Sequence, residues 1–360
     1  MSIPTTDEVI NIVSGFFAIR GINQTLNCLE IQIDDNYLAA KFKDMAQKME
    51  EMNLIARLEK NSRGTFVLVY RFRPPSPKRA WIPRVLFGGT IVTVLVDGYY
   101  RAVATNSIAK VGDPMYIAIL YTVSLMGILG IHELGHIIAS KKHGLKISWP
   151  YFIPGIPIIG FIPTFGALIM SRGLIINKNI LFDVGISGPI AGLIVAVIVS
   201  AYGASTSPLV PDAMVHDLTK TQGLVEVHSS ILMDATIALE GKHIPGKEII
   251  MTPVLLAAWF GFLITFLNLL PAWQLDGGHV ARSTFGIKWH RILTYASIGV
   301  LAATGYFIMA VFVLAFSMKS MDVKPLDDLS PLSPVRRKMF PLVMALAFLC
   351  APLPFSILPQ

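Results

Sequence analysis

The strongest constraint on this chain is a series of apolar runs, each near the roughly 20 residues that an α-helix needs to cross a bilayer, at 84–104, 114–140, 180–203, 249–271, 292–317 and 339–358. Charge is correspondingly scarce. Of the 360 residues 15% are Asp, Glu, Lys or Arg and 53% are hydrophobic, where a soluble domain carries about 25% charge. The expected fold is a polytopic α-helical membrane protein of about six transmembrane helices, with the lipid bilayer as solvent. No cleavable signal is expected, because Thr5, Thr6, Asp7 and Glu8 stand where a basic and then apolar leader would be.

The formal charge of +7 does not point to nucleic acid. The basic residues gather beside the apolar runs: Lys78, Arg79 and Arg84; Lys141, Lys142 and Lys146; Arg282, Lys288 and Arg291. Cytoplasmic retention of positive charge produces that pattern. Counted from a cytoplasmic N-terminus, loops 141–180 and 277–291 lie inside and are basic, while 204–248 lies outside with Asp212, Asp217, Glu226, Asp234 and Glu240. A multi-pass protein of the cell membrane is expected. Arg336, Arg337 and Lys338 then fall outside, against the rule. Cys28 and Cys350 form no spaced framework for disulfides or thiolate ligation.

Residues 1–75 read as a small cytoplasmic α+β accessory domain. Thr5 and Glu8 have capping-box spacing before a helical pattern of Val9, Ile10, Val13, Phe16 and Phe17. Residues 29–33 alternate as a strand, 38–52 have helical spacing, and 54–60 and 65–72 flank the turn Asn61-Ser-Arg-Gly64 as a hairpin. A stiff, basic, Pro-rich linker follows at 76–84, then a core over 85–290 and two C-terminal helices over 291–360. Within the core, 147–172 carries Pro150, Pro154, Pro157 and Pro163 among Gly155, Gly160 and Gly166, so it cannot be a regular helix. Irregular backbone at membrane depth needs protein or a water-filled cavity to satisfy it. A re-entrant β-hairpin after the second span is expected, with 164–169 as an exposed strand. In the outer stretch 204–248, His216, His228 and His243 lack ligand spacing, and an amphipathic helix is expected near 231–239.

The chemistry concentrates in two places. His132-Glu-Leu-Gly-His136 sets two imidazoles at i and i+4, on one face of a helix, where they can share a metal. Glu133 stands beside the first. Three ionisable groups ending an apolar run are costly in lipid, so they should face the protein interior and have a function. A catalytic zinc usually takes three protein ligands. Asp276 is the candidate third, in Asn268-Leu-Leu-Pro-Ala-Trp-Gln-Leu-Asp-Gly-Gly278, where Pro271 breaks a helix and the glycines permit a tight turn. Its plain alternative is an interfacial carboxylate paired with Arg282. Asn268 suits either an amide donor to substrate or oxyanion or a helix cap. His143 and His279 read as bystanders. Asp97, inside the first span, needs a buried partner or water.

Together these motifs resemble the site-2 protease family of intramembrane metalloproteases: H-E-L-G-H on one span, N-x-x-P-x-x-x-x-D-G on a later one, and between them Asp183-Val-Gly-Ile-Ser-Gly-Pro-Ile-Ala-Gly192, like the family's G-P-x-x-G element. The resemblance covers about 115–285. It implies one Zn2+ per chain held by His132, His136 and Asp276, with Glu133 as the catalytic carboxylate. It also implies single-span membrane proteins as substrates. Gly188 and Gly192 serve close helix packing, and Phe165, Gly166 and Ala167 are candidates for pairing with an unwound substrate. The expected activity is that of an intramembrane zinc endopeptidase cutting within or near transmembrane helices, with a zinc-activated water and Glu133 as general base and acid. A membrane metal-ion transporter or zinc-binding receptor would use the three ligands without needing Glu133, and a scaffold for client helices would need no metal.

Overall fold

The computed structural model describes residues 5–25, 28–34, 39–71, 81–145, 147–155, 163–168, 174–215, 217, 227–319 and 324–352. Most of the 76–84 linker lies outside them. Helix α1 (Thr6–Ser14) starts at the expected capping box, in which the Glu8 N–H donates to Thr5 Oγ1 (3.3 Å) and the Thr5 N–H to Glu8 Oε2 (2.9 Å). Strands β1 (Ile19–Gln24), β2 (Leu29–Ile33), β3 (Leu54–Asn61) and β4 (Gly64–Arg71), with helix α2 (Ala39–Glu51) between β2 and β3, form an antiparallel sheet of order β1-β2-β4-β3. Alternation along β2 points Leu29, Ile31 and Ile33 at Val9 and Val13 of α1 and Phe42, Met45 and Met49 of α2. This small α+β region matches the sequence reading except for β1. As an edge strand with no fully buried residue, β1 carries no period-two signal.

Among the described residues, three helices are long and apolar enough to cross a membrane: α3 (Trp81–Ile108), α4 (Pro114–Lys142) and α5 (Lys178–Thr206). Between α4 and α5, β5 (Tyr151–Pro154) pairs antiparallel with β6 (Thr164–Leu168); β5 packs on α3, and β6 touches α3 and α4. After α5 come β7 (Leu209–Pro211), α6 (Ile231–Leu239), β8 (Lys247–Ile249), α7 (Pro253–Leu269), α8 (Asp276–Ala303, broken at Gly286), α9 (Phe307–Lys319) and α10 (Pro334–Cys350). In a lipid-like setting helices gain little from excluding water and pack by close backbone approach. Helix α5 is built for that. Its buried small residues Gly185, Gly188, Gly192, Ala196, Ser200 and Gly203 form one stripe. Side chains at three of these positions would overlap the backbone of α8 (Gly185), His136 of α4 (Gly188) and Leu255 of α7 (Gly203).

The apolar run 292–317 is not one helix. Gly305 takes a left-handed conformation (φ 85°), and the Tyr306 N–H closes on the Leu301 carbonyl at 2.8 Å, a glycine-terminated helix end. Helices α8 and α9 therefore form a hairpin. Both arms return to Trp273: Thr294 Oγ1 accepts its N–H (3.0 Å), and its ring meets Phe312 and Phe316 at 5.8 and 5.4 Å.

The next segment comes back to the face that carries the sheet. The Leu58 N–H of β3 donates to the Leu326 carbonyl (2.8 Å), while the Leu326 and Asp327 N–H groups donate to the Ile175 and Ile176 carbonyls (2.9 and 2.7 Å). Arg282, 2% exposed, grips Asp328 with both terminal nitrogens (3.2 and 2.8 Å). Burial alone would push the Asp328 carboxyl up, but Arg282 and Lys178 outweigh it and hold the group below its ordinary range. Arg336 pairs with Asp183, on the first turns of α5. The expectation that Arg336, Arg337 and Lys338 lie opposite the N-terminal region is thus corrected for Arg336 and the turn that carries it. Hydropathy counts one crossing where a glycine turn makes two arms.

Candidate metal centre

Regular helix geometry brings His132 and His136 onto one face of α4, with their Nε2 atoms 3.2 Å apart. His132 and the neighbouring Glu133 are buried, at 4% and 8% exposure. His136 Nδ1 lies 2.8 Å from the Val184 carbonyl of α5. A carbonyl only accepts, so Nδ1 carries the hydrogen and Nε2 keeps its lone pair for the site.

Asp276 arrives by a less regular route. Helix α7 ends before Leu270, and the turn that follows holds Trp273 at φ 44°, left-handed and strained for a bulky residue. That conformation is held from α8: Thr294 accepts the Trp273 N–H, and His290 Nε2 lies 2.9 Å from its carbonyl. A Cβ on Gly277 would sit 2.0 Å from the Leu269 carbonyl oxygen, and one on Gly278 would sit 2.4 Å from those of Ala272 and Trp273. The glycines are therefore required for close backbone approach. The expected reason, turn dihedrals, does not hold, since neither has a positive φ.

The turn delivers Asp276 Oδ2 to 3.4 Å from Nε2 of both histidines. The three donor atoms form a nearly equilateral triangle. Nitrogen and oxygen ligands at about 2.0–2.1 Å around a tetrahedral zinc lie about 3.3 Å from one another, so this donor set fits zinc. Helix α5 walls the site with its bare backbone: a side chain begun at Gly188 would lie 2.1 Å from His136 Nε2, and one at Gly192 would lie 3.0 Å from His132 Cβ. The packing role expected of Gly188 and Gly192 is thus exercised against the two histidines themselves.

The other candidates separate clearly. Asn268 Nδ2 is 3.4 Å from His132 Nε2, at the rim of the triangle. Phe165, Gly166 and Ala167 stand on β6, which packs on α3 and α4, and among the described residues a Cβ on Gly166 would meet nothing within 4 Å. His279 is outside the converging group. His143 pairs with Asp183 at 3.0 Å. Asp97 accepts from Arg101 Nε (2.6 Å) and the Tyr121 hydroxyl (3.0 Å) of α4, so it is satisfied within the bundle. The Val184 carbonyl and the Arg282–Asp328 pair went unseen in the sequence. A backbone carbonyl leaves no residue-type signal, and Arg282 is assigned there only as an alternative partner of Asp276.

Two histidines one helical turn apart, an adjacent carboxylate and a distant aspartate that could complete a ligand set have the pattern of a metallopeptidase-type centre. Residues 120–312, just over half of the chain, match peptidase family M50. The chain is 31% identical over 240 residues to the probable zinc metalloprotease EGY2, chloroplastic, of Arabidopsis thaliana, covering 64% of this chain and 41% of that protein. It is 30% identical over 187 residues to the probable zinc metalloprotease EGY1, chloroplastic, of the same plant (50% and 33%). It is 24% identical over 230 residues to the EGY3 counterpart of Oryza sativa subsp. indica (59% and 38%). The chain spans less than half the length of these relatives. No solved structure matches it. The chain belongs to peptidase family M50, the site-2 protease family.

Proposed function

We propose that this protein is an intramembrane zinc endopeptidase that hydrolyses peptide bonds within or near the transmembrane helices of single-span substrate proteins. The observation that carries the reading is the convergence of His132, His136 and Asp276 within 3.2–3.4 Å of one another, with Glu133 buried beside the first ligand. The three would hold zinc, which when bound polarises a carbonyl and makes water more acidic. Glu133 takes the proton of the attacking water and passes it to the leaving amine. Asn268 donates its amide N–H to the oxygen on which charge develops. A substrate helix must unwind before it is cut, and the edge of β6 around Phe165, Gly166 and Ala167 offers an extended partner; that no described residue would meet a Cβ at Gly166 supports that role. The adjacent Glu133 favours the enzyme over an ion transporter, which has no use for a base there.

In this reading residues 1–75 are an accessory domain on the cytoplasmic side of the cell membrane, joined through the 76–84 linker to a core over 85–290. Helices α3, α4, α5, α7 and α10 cross the bundle. The α8–α9 hairpin enters and leaves by one face, and β5–β6 is re-entrant.

The deciding experiment is cleavage of a panel of single-span test proteins by the purified chain in detergent, with zinc content measured in parallel, for the wild type and Glu133→Gln. The expected result is about one zinc per chain in both, and cleavage slower by about 10²–10⁴-fold in the variant. A variant that cuts at the native rate removes Glu133 from the mechanism; zinc without cleavage of any test protein favours transport or binding.

A further inference from the structure

Beneath the metal triangle lies a second cluster that the chemistry above does not use. His143 follows His136 by seven residues, two turns along α4, so both rings face α5. They meet neighbouring residues there: His136 Nδ1 reaches the Val184 carbonyl (2.8 Å), and His143 Nε2 reaches Asp183 Oδ2 (3.0 Å). Arg336 of α10 closes on the same carboxylate with Nε to Oδ1 (2.6 Å) and Nη2 to Oδ2 (2.7 Å), a bidentate, charge-assisted pair. The start of α10 is tied to α5 again where the Ser333 N–H donates to Asn179 Oδ1 (3.0 Å). Gln47 of α2 adds a bond to the His143 carbonyl (3.3 Å). Two parts of the chain, α4 and α10, thus hold the turn of α5 that contains Asp183 and Val184, and α2 reaches it only through His143.

That turn has little slack. Rotating α5 one way drives its backbone at Gly188 into His136, where even a Cβ would lie 2.1 Å from Nε2; rotating it the other way lengthens the Val184 bond. We propose, resting on the metal-site reading above, that Asp183 is a positioning residue for the metal centre. Clamped by Arg336 and His143, it sets the rotation of α5 so that the Val184 carbonyl fixes the tautomer and orientation of His136. It touches neither metal nor substrate. The C-terminal helix, and through Gln47 the N-terminal region, thereby act on a ligand they do not contact.

Outer partners of metal ligands typically contribute about 10–100-fold to metal affinity. The test measures zinc affinity of the full chain in detergent by competition with a chromogenic chelator, together with the visible spectrum of the cobalt-loaded protein, which reports ligand geometry. Asp183→Ala is expected to bind zinc about tenfold more weakly with a shifted cobalt spectrum. Arg336→Gln, which leaves Asp183 with His143 alone, should show the same changes more weakly, and it carries the test if Asp183→Ala does not fold. Thr236→Val breaks the buried Ser200–Thr236 hydrogen bond at the far end of α5 and controls for general destabilisation; it should leave affinity and spectrum unchanged. Variants at Asp183 and Arg336 that melt earlier but keep native affinity and spectrum overturn the proposal, leaving Asp183 a purely structural residue. A wild-type chain that takes up neither metal overturns the metal-site reading itself and this inference with it.

Discussion

The two halves of the proposed metal centre are built in opposite ways. Helix α4 supplies His132 and His136 by ordinary helical periodicity, and any chain that makes this helix presents them on one face. Asp276 depends on a strained residue, Trp273, on two glycines pressed against carbonyl oxygens, and on Thr294 and His290 reaching back from α8. The first half is local and robust. The second is a product of packing, so the turn that carries Asp276 can fail from within, whereas the motif helix fails only when a neighbour such as α5 is pushed into it.

The sharpest way to break that contrast is to fill the wall behind the regular half. Gly188→Ala sets a methyl group where Nε2 of His136 stands, and overpacking of this kind costs about 1–3 kcal/mol or more. Zinc affinity is expected to fall by about 10–100-fold at 1.4 kcal/mol per decade, measured by chelator competition. Native affinity would mean that α4 and α5 adjust more freely than the contact allows. Next in size is Thr294→Val, which leaves the Trp273 N–H without its acceptor at a cost of about 1–3 kcal/mol. Its effect should appear as a lower melting temperature together with weaker zinc binding, through Asp276 and not through the histidines. Equal melting temperature and affinity would show that the glycines and His290 hold the turn without Thr294. The smallest change is Thr5→Ala, which removes the capping box of α1 and costs about 1 kcal/mol. It should lower the stability of the N-terminal region in a thermal melt and leave zinc content untouched; a loss of zinc would show that this region and the centre fold as one unit.

Legibility in the sequence follows the same division. The capping box at Thr5 and Glu8, the β3–β4 hairpin, the His132–Glu133–His136 helix and the three long apolar helices were all readable, because each is written in contiguous residues with a fixed period. Strand β1 was not, since an exposed edge strand has no buried face to impose alternation. The fold-back at Gly305 was hidden as well. One glycine in an apolar run is compatible with a straight helix, and only the packing of both arms on Trp273 selects the turn.

What the sequence by itself determined is the inventory: which donors exist, which two share a helical face, and that the setting is too apolar for water. Only the tertiary structure decided that Asp276, 140 residues beyond His136, closes the triangle, that α5 lends a bare backbone wall, and that Asp183 and Arg336 stand behind His136. Hydrogen bonds to backbone carbonyls and close approaches at glycine depend on how helices are placed in space, and residue spacing along a chain does not specify that placement.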